Sequence, residues 1–186
     1  MDDDNQAIRR LKNGDIGGLE TLVCRYQVKA IRAAFLIARN EQTAEDVVQE
    51  TFLRIFERIR RFDETRPFGP YLLRSVVNAA LDATQRSSKQ EQAAVNLESV
   101  EGLLQTALTV EAEAEFNTLK RDIYHALELL SPRQRAAVVM RYYLEMSEKE
   151  MAAALKARPG TVKWLLNAAR ERLRNILGVA TGRSVK

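Results

Sequence analysis

The stretch from residue 131 to 178 carries denser helix punctuation than the rest of the chain, and it leaves few folds open. Ser131-Pro132-Arg133-Gln134 sets a serine three residues ahead of a glutamine, with proline at the first helical position. Ser147-Glu148-Lys149-Glu150 repeats the arrangement with glutamate. In each, the serine hydroxyl can accept from the backbone N–H three residues on, while the Gln or Glu side chain reaches back to the serine N–H. Two orphan donors of a helix start are satisfied together. Pro159-Gly160-Thr161 marks a third start, because proline is pre-set for the first helical turn. The spacing predicts helices over 132–143, 147–155 and 160–177. The last carries Val162, Leu165 or Leu166, Ala169, Leu173 and Ile176 as its apolar stripe and ends at Gly178.

A short helix, a tight turn and a second helix make a helix-turn-helix, whose second helix lies in the DNA major groove. Met151-Ala152-Ala153-Ala154-Leu155 supplies small side chains where two helices must cross closely. From Lys156 to Leu177 the basic residues are Lys156, Arg158, Lys163, Arg170, Arg172 and Arg174, against Glu171 alone. A solvated cationic face explains any one such helix. Capping, small-residue packing and charge coincide here, which favours DNA binding. The net charge of +4 is compatible with that partner but too small to argue for it.

The first half reads as a helical bundle. With 8 Gly and 4 Pro among 186 residues there is little punctuation for a many-turned β fold, so the fold class is all-α: two small helical domains joined by a linker. Residues 5–13 form a short amphipathic helix ended by Gly14, and 18–38 a longer apolar one. Thr43 is read as the cap of a third helix, with acidic first-turn residues Glu45 and Asp46 suiting the positive end of its dipole. Val48, Phe52, Ile55 and Ile59 form its core stripe; Asp46, Gln49, Glu50 and Glu57 lie opposite. A loop with Asp63, Glu64 and Thr65 leads to Pro67, and Leu72, Val76, Ala79 and Ala83 repeat at helical spacing to about Arg86. The expected domains are 1–86 and 116–177, with an acidic linker over 87–115 and a flexible tail over 178–186. The linker holds six acidic residues against Lys89, and its charge opposes collapse onto either domain.

The sequence points away from catalysis. Cys24 is the lone cysteine and is expected to be a small buried apolar residue; His125 is the lone histidine, a helix-surface or satisfied core residue. There is no phosphate-cradling glycine loop, no metal-ligand cluster and no nucleophile elbow, so no catalytic residue, cofactor or metal is expected. The acidic Met1-Asp2-Asp3-Asp4 start and the lack of an apolar run of ~20 residues suggest a cytoplasmic protein without membrane insertion. Between Arg58 and Arg74, arginines 58, 60, 61, 66 and 74 flank Phe62, Phe68 and Tyr71. Spacing alone favours Phe62 and Phe68 as core with solvated arginines, although the mix also suits stacking on unpaired bases.

Taken together, the motifs resemble a known family. Ala44-Glu45-Asp46-Val47-Val48-Gln49-Glu50-Thr51-Phe52, Phe62-Asp63, Pro67-Phe68, Tyr71-Leu72 and Asn78 with Asp82 resemble the second conserved region of bacterial sigma factors. Leu130-Ser131-Pro132-Arg133-Gln134-Arg135, Glu150-Met151-Ala152, Gly160-Thr161-Val162-Lys163, Ala169-Arg170 and Leu173-Arg174 resemble the fourth. With these two regions alone, the chain is similar to the extracytoplasmic-function (ECF) group of the sigma-70 family. The resemblance implies that the chain binds core RNA polymerase and directs promoter recognition and DNA melting. Asp46, Gln49, Glu50 and Arg54 would meet the β′ clamp helices. Arg61, Phe62, Phe68, Tyr71, Arg74, Asn78, Asp82 and Arg86 would open the minus-ten element, which reverses the reading of the Arg58–Arg74 patch. Arg158, Thr161, Lys163, Trp164, Asn167, Arg170 and Arg174 would read the minus-thirty-five element, in a domain that also binds the β flap tip. An anti-sigma factor is a further implied partner.

The chain departs from the family pattern at Tyr71, where tryptophan is frequent, and at Val77, where arginine is. Trp164, Leu165 and Ala168 also replace a serine and two arginines of the reading helix. Fewer cations imply weaker isolated affinity for the upstream element, or else Trp164 and Leu165 face a protein. The competing readings are a stand-alone helix-turn-helix regulator and a helical adaptor that binds only protein.

Overall fold

A computed structural model describes residues 2–87 and 121–180, with side chains over 3–86 and 121–178. The described residues form helices and connecting turns, in two compact units. The first holds α1 (Asp2–Lys12), α2 (Gly17–Ala38), α3 (Glu41–Arg58), a 3-10 turn at Ile59–Arg61, and α4 (Phe68–Ser87). The second holds α5 (121–128), α6 (Pro132–Val138), a π-helical turn at Val139–Tyr143, α7 (Glu148–Ala154) and α8 (Pro159–Ala180). The expected linker from residue 88 on, residues 116–120, and the tail from residue 181 lie outside the described residues.

In the first unit α2 is the central helix, packing against α1, α3 and α4. Its buried side chains include Ala30, Ala33 and Ala34, small enough to bring neighbouring backbones close. Gly18 serves the same end at the α1 crossing: a Cβ there would sit 2.3 Å from the Ala7 carbonyl oxygen. Gly14, at φ +87°, reverses the chain between α1 and α2 as glycine readily does. Cys24 is exposed, contrary to expectation, since it falls two residues beyond buried Leu22 and so on the opposite side of α2.

The start of α3 also needs correction. Asn40, not Thr43, is the cap; its side chain accepts from the Thr43 N–H at 2.7 Å, so Thr43 lies inside the first turn. Either residue type can cap, and Asn40 wins because its extended backbone follows Arg39 in the left-handed region. Val48, Phe52, Ile55 and Ile59 are buried as expected. On α4 the stripe is rotated. Leu72 and Val76 are core, but Leu73, Val77, Ala80 and Leu81 complete it, while Ala79 and Ala83 are half-buried. Bulky side chains bury more apolar area than alanine, and they set the helix orientation.

The second unit packs α6 and α7 onto α8. Both capping boxes form: Ser131 with Gln134, and Ser147 with Glu150. The helix expected over 132–143 is continuous, but it widens at Val139, whose carbonyl accepts from the Leu144 N–H at 3.0 Å, a π-type bond. Residues 155–158 turn the chain into α8, with Lys156 in the left-handed region at φ 49°. Val162, Leu165, Leu166 and Ala169 are buried. Gly178 does not end α8, which runs to Ala180; an interior glycine costs a helix only ~1 kcal/mol.

Ser147→Ala should lower the unfolding free energy of the second unit by about 1 kcal/mol in thermal or denaturant melts. The Ser147 hydroxyl, and secondarily its N–H, hold the Glu150 carboxyl below its usual value. A depressed folded value means this contribution is present above the glutamate range and is lost as pH falls through the folded value. The difference between Ser147→Ala and the parent should therefore shrink below about pH 4.

Candidate nucleic-acid interface

Burial of one stripe of α8 fixes what the helix shows on its other side. Opposite Val162, Leu165, Leu166 and Ala169 stand Thr161, Lys163, Trp164, Asn167, Arg170 and Arg174, all exposed, with Arg158 exposed in the preceding turn. Trp164 is 64% exposed. Leu165 is 5% exposed in the core, so the idea that it faces a partner is corrected. Arg170 is held in place: its Nε donates to the Tyr142 hydroxyl at 2.8 Å, and the guanidinium lies 5.9 Å from that ring's centroid. Tyr142 belongs to the π-helical turn and was not among the expected site residues, because 28 positions separate it from Arg170 and no spacing signal connects them. Lys163 approaches Glu148 of α7 at 3.8 Å.

The first unit shows two further faces. Along α4, Tyr71, Arg74, Asn78, Asp82 and Arg86 recur at helical spacing on the side away from the core, Asn78 half-buried and the others exposed. Arg61 is exposed on the 3-10 turn. A row of rings leads from the interior to this face. Tyr26 meets Phe68 at 5.7 Å between centroids, Phe68 meets Phe62 at 5.8 Å, and Phe62 meets Tyr71 at 5.1 Å. Tyr71 is 39% exposed and Phe62 half-buried, but Phe68 is 2% exposed. The expectation that Phe68 touches DNA is therefore corrected: it is the buried support on which Phe62 rests. Gly69 lets this row form, since a Cβ there would meet the Tyr26 ring at 2.9 Å. Burial and the Asp4 carboxylate push the Tyr26 phenol up to about 12.

The loop before α4 is tied to α1. Lys12 Nζ donates to the Phe62 carbonyl at 2.8 Å and to Glu64 at 2.7 Å, and Arg9 donates to the same carboxylate at 2.9 Å. These cations hold Glu64 below the usual carboxylate range; Thr65 does the same for Asp63, whose carboxylate accepts from the Thr65 N–H and hydroxyl. Sequence reading missed Arg9 and Lys12, which lie 50 or more residues from their partners.

On α3, Asp46, Gln49, Glu50 and Arg54 are exposed on one side, with Glu50 and Arg54 paired at 2.6 Å. Leu53, 59% exposed, and Phe56 stand beside them, and Gln49 and Leu53 edge a groove of about 390 Å³ floored by Val48 and Phe52. The exposed apolar pair was also missed, although Leu53 carries a signal: it follows Asp46 by seven residues and Gln49 by four, so helical period puts it on the polar face.

A helix-turn-helix whose second helix turns a cationic face outward defines a DNA-binding protein. The Sigma-70 region 2 family model matches residues 22–90, and the Sigma-70, region 4 model matches residues 120–173. The chain is 28% identical over 182 residues to the ECF RNA polymerase sigma factor SigW of Bacillus subtilis, covering 92% of this chain and 95% of that one. It is 28% identical over 180 residues to the ECF RNA polymerase sigma-E factor of Salmonella typhimurium, covering 92% and 93%. Its fold is shared with CnrH, solved in complex with the cytosolic domain of CnrY, at a TM-score of 0.68, 22% identity and coverage of 95% and 98%. It is shared also with the sigma factor RpoE of Bartonella quintana, solved with the anti-sigma factor NepR, at a TM-score of 0.62, 22% identity and coverage of 86% and 95%. The chain belongs to the ECF group of the sigma-70 family and is an RNA polymerase sigma factor that directs transcription initiation. Neither a stand-alone regulator nor a protein-only adaptor is favoured.

Phe68→Ala should destabilise the first unit by about 3 to 5 kcal/mol, the range for emptying a buried aromatic site. Tyr71→Ala, at the exposed end of the same row, should cost well under half as much. Comparable losses in denaturant melts would place Tyr71 in the core.

Proposed function

We propose a division of labour among the three outward faces. Asp46, Gln49, Glu50 and Arg54 bind the β′ clamp helices of core polymerase. Arg61, Phe62, Tyr71, Arg74, Asn78, Asp82 and Arg86 engage the minus-ten element as it opens. Arg158, Thr161, Lys163, Trp164, Asn167, Arg170 and Arg174 read the minus-thirty-five element, and their unit also docks on the β flap tip. Residues 1–86 and 116–177 are the two functional domains, the acidic 87–115 segment links them, and a tail follows from 178. The protein acts in the bacterial cytoplasm, without catalysis of its own, and an anti-sigma factor can occupy its polymerase-binding faces.

The observation that carries the reading is that each contact set centres on one outward helix face opposite a buried stripe, with Arg61, Phe62 and Arg158 in the turns that lead into it. On α3 the acidic residues border exposed Leu53 and Phe56, and an apolar centre with a charged rim suits a protein partner. On α4 an aromatic ring and an amide share a face, which suits an unpaired base through stacking and edge hydrogen bonds. For the anti-sigma factor, the support is that CnrH and RpoE, of the same fold, were each solved with a partner of that kind or with a cytosolic domain bound.

Asp46→Arg and Glu50→Arg should weaken binding to core polymerase about tenfold or more with unchanged melting temperature, because like charge would face the partner and neither side chain is buried. Titration of core enzyme with labelled protein checks this, and unaltered affinity in both variants removes α3 from the interface. Tyr71→Ala should slow open-complex formation on duplex promoters by a factor equivalent to ~1 to 3 kcal/mol, yet be largely rescued on a template already mismatched across the minus-ten element. Equal defects on the two templates count against a melting role.

A further inference from the structure

We infer that Trp164 recognises the methyl group of a thymine in the upstream promoter element. The inference rests on the proposed reading of α8 as the helix that enters the major groove. At about 100° per residue, Trp164 and Asn167 lie near the middle of the face opposite Val162, Leu165, Leu166 and Ala169. Lys163, Arg170 and Arg174 line one flank, Arg172 lies toward the other, and Glu171 shares the middle of the face with them. Cations on the flanks reach phosphates on either side of a groove, and the side chains between them meet base edges.

Among the base edges in the major groove, the thymine methyl is the apolar one; the other groups there are hydrogen-bond donors and acceptors. An indole exposed by 64% on a face otherwise polar and charged has its complement in that group. Asn167, three residues further along the same face, carries the amide that pairs bidentately with adenine. The two side chains together select an A·T-containing step. Arg170, steered by the Tyr142 hydroxyl and ring, holds the flank in register. Four cations of α8, Lys163, Arg170, Arg172 and Arg174, against Glu171 alone leave the helix an excess of positive charge that favours duplex DNA over an apolar protein surface.

The test uses holoenzyme assembled from core polymerase and the full chain. Promoter duplexes randomised across the upstream element are selected for binding by the parent and by Trp164→Ala. Selected duplexes are then remade with deoxyuridine replacing one thymine at a time. The parent should require thymine at one or two adjacent positions and bind the matching deoxyuridine duplex about fourfold more weakly, the effect of losing one buried methyl. Trp164→Ala should lose both the preference and the sensitivity to deoxyuridine. Indifference of the parent to deoxyuridine at every position overturns the inference whatever the variant does. So does a loss of core-polymerase affinity in Trp164→Ala with the deoxyuridine effect retained, which assigns the indole to a protein. Lys163→Ala and Arg170→Ala separate the two levels. If they weaken the upstream contact while thymine exchange is silent, the assignment of Trp164 alone falls; if they too are silent, α8 is not the upstream reader.

Discussion

Every helix here must bury a stripe of apolar side chains, and doing so fixes which residues it can present to anything else. On α8 the choice is made by Val162, Leu165, Leu166 and Ala169. Once these pack against α6 and α7, Lys163, Trp164, Asn167 and Arg170 have no side to occupy but the outer one. The same necessity on α3 turns Asp46 and Glu50 outward, and on α4 it lines up Tyr71, Arg74 and Asn78. The proposed contact faces are thus complements of the core.

The first unit adds a second layer of positioning, because its exposed aromatic is continuous with buried ones. Tyr71 touches Phe62, Phe62 touches Phe68, and Phe68 touches Tyr26, which is anchored through its hydroxyl to Asp4 of α1. A ring on a lone surface helix would sample several rotamers. One resting on a packed neighbour would lose less freedom if a base stacked on it as proposed, since part of the ordering cost is met during folding.

The all-helical class and both capping boxes were legible in the sequence because each rests on residues within four positions of one another, whereas α5 was not given bounds. So were the core stripes of α3 and α8, which follow from helical period, whereas the outward grouping on α4 came with the family resemblance and the periodic stripe there was rotated. What was hidden depended on distant partners or on competition between similar signals. Asn40 and Thr43 are both good caps, and only the backbone at Arg39 decides between them. Phe68 and Tyr71 are both aromatic beside arginines, and which one is covered depends on where Tyr26 of another helix comes to lie. Cys24 is exposed because it falls on the side of α2 opposite buried Leu22, and which side is covered depends on where the neighbouring helices pack. The grip of Arg9 and Lys12 on Glu64, and of Tyr142 on Arg170, spans too many residues for any periodic pattern to show.

The grip of α1 on the loop before α4 bears on how ionic strength acts on this protein. Two cations share the Glu64 carboxylate, Arg9 and Lys12, and Lys12 also holds the backbone of Phe62. Ion pairs this close to the surface weaken as salt screens them. Counterions released from promoter phosphates give a salt slope of their own. The two dependences have the same sign, so a slope measured on duplex opening combines phosphates neutralised with internal attachments loosened. Counted as phosphates alone, it would overstate the footprint of this sigma factor on DNA, by an amount that neutralising Arg9 and Lys12 would reveal.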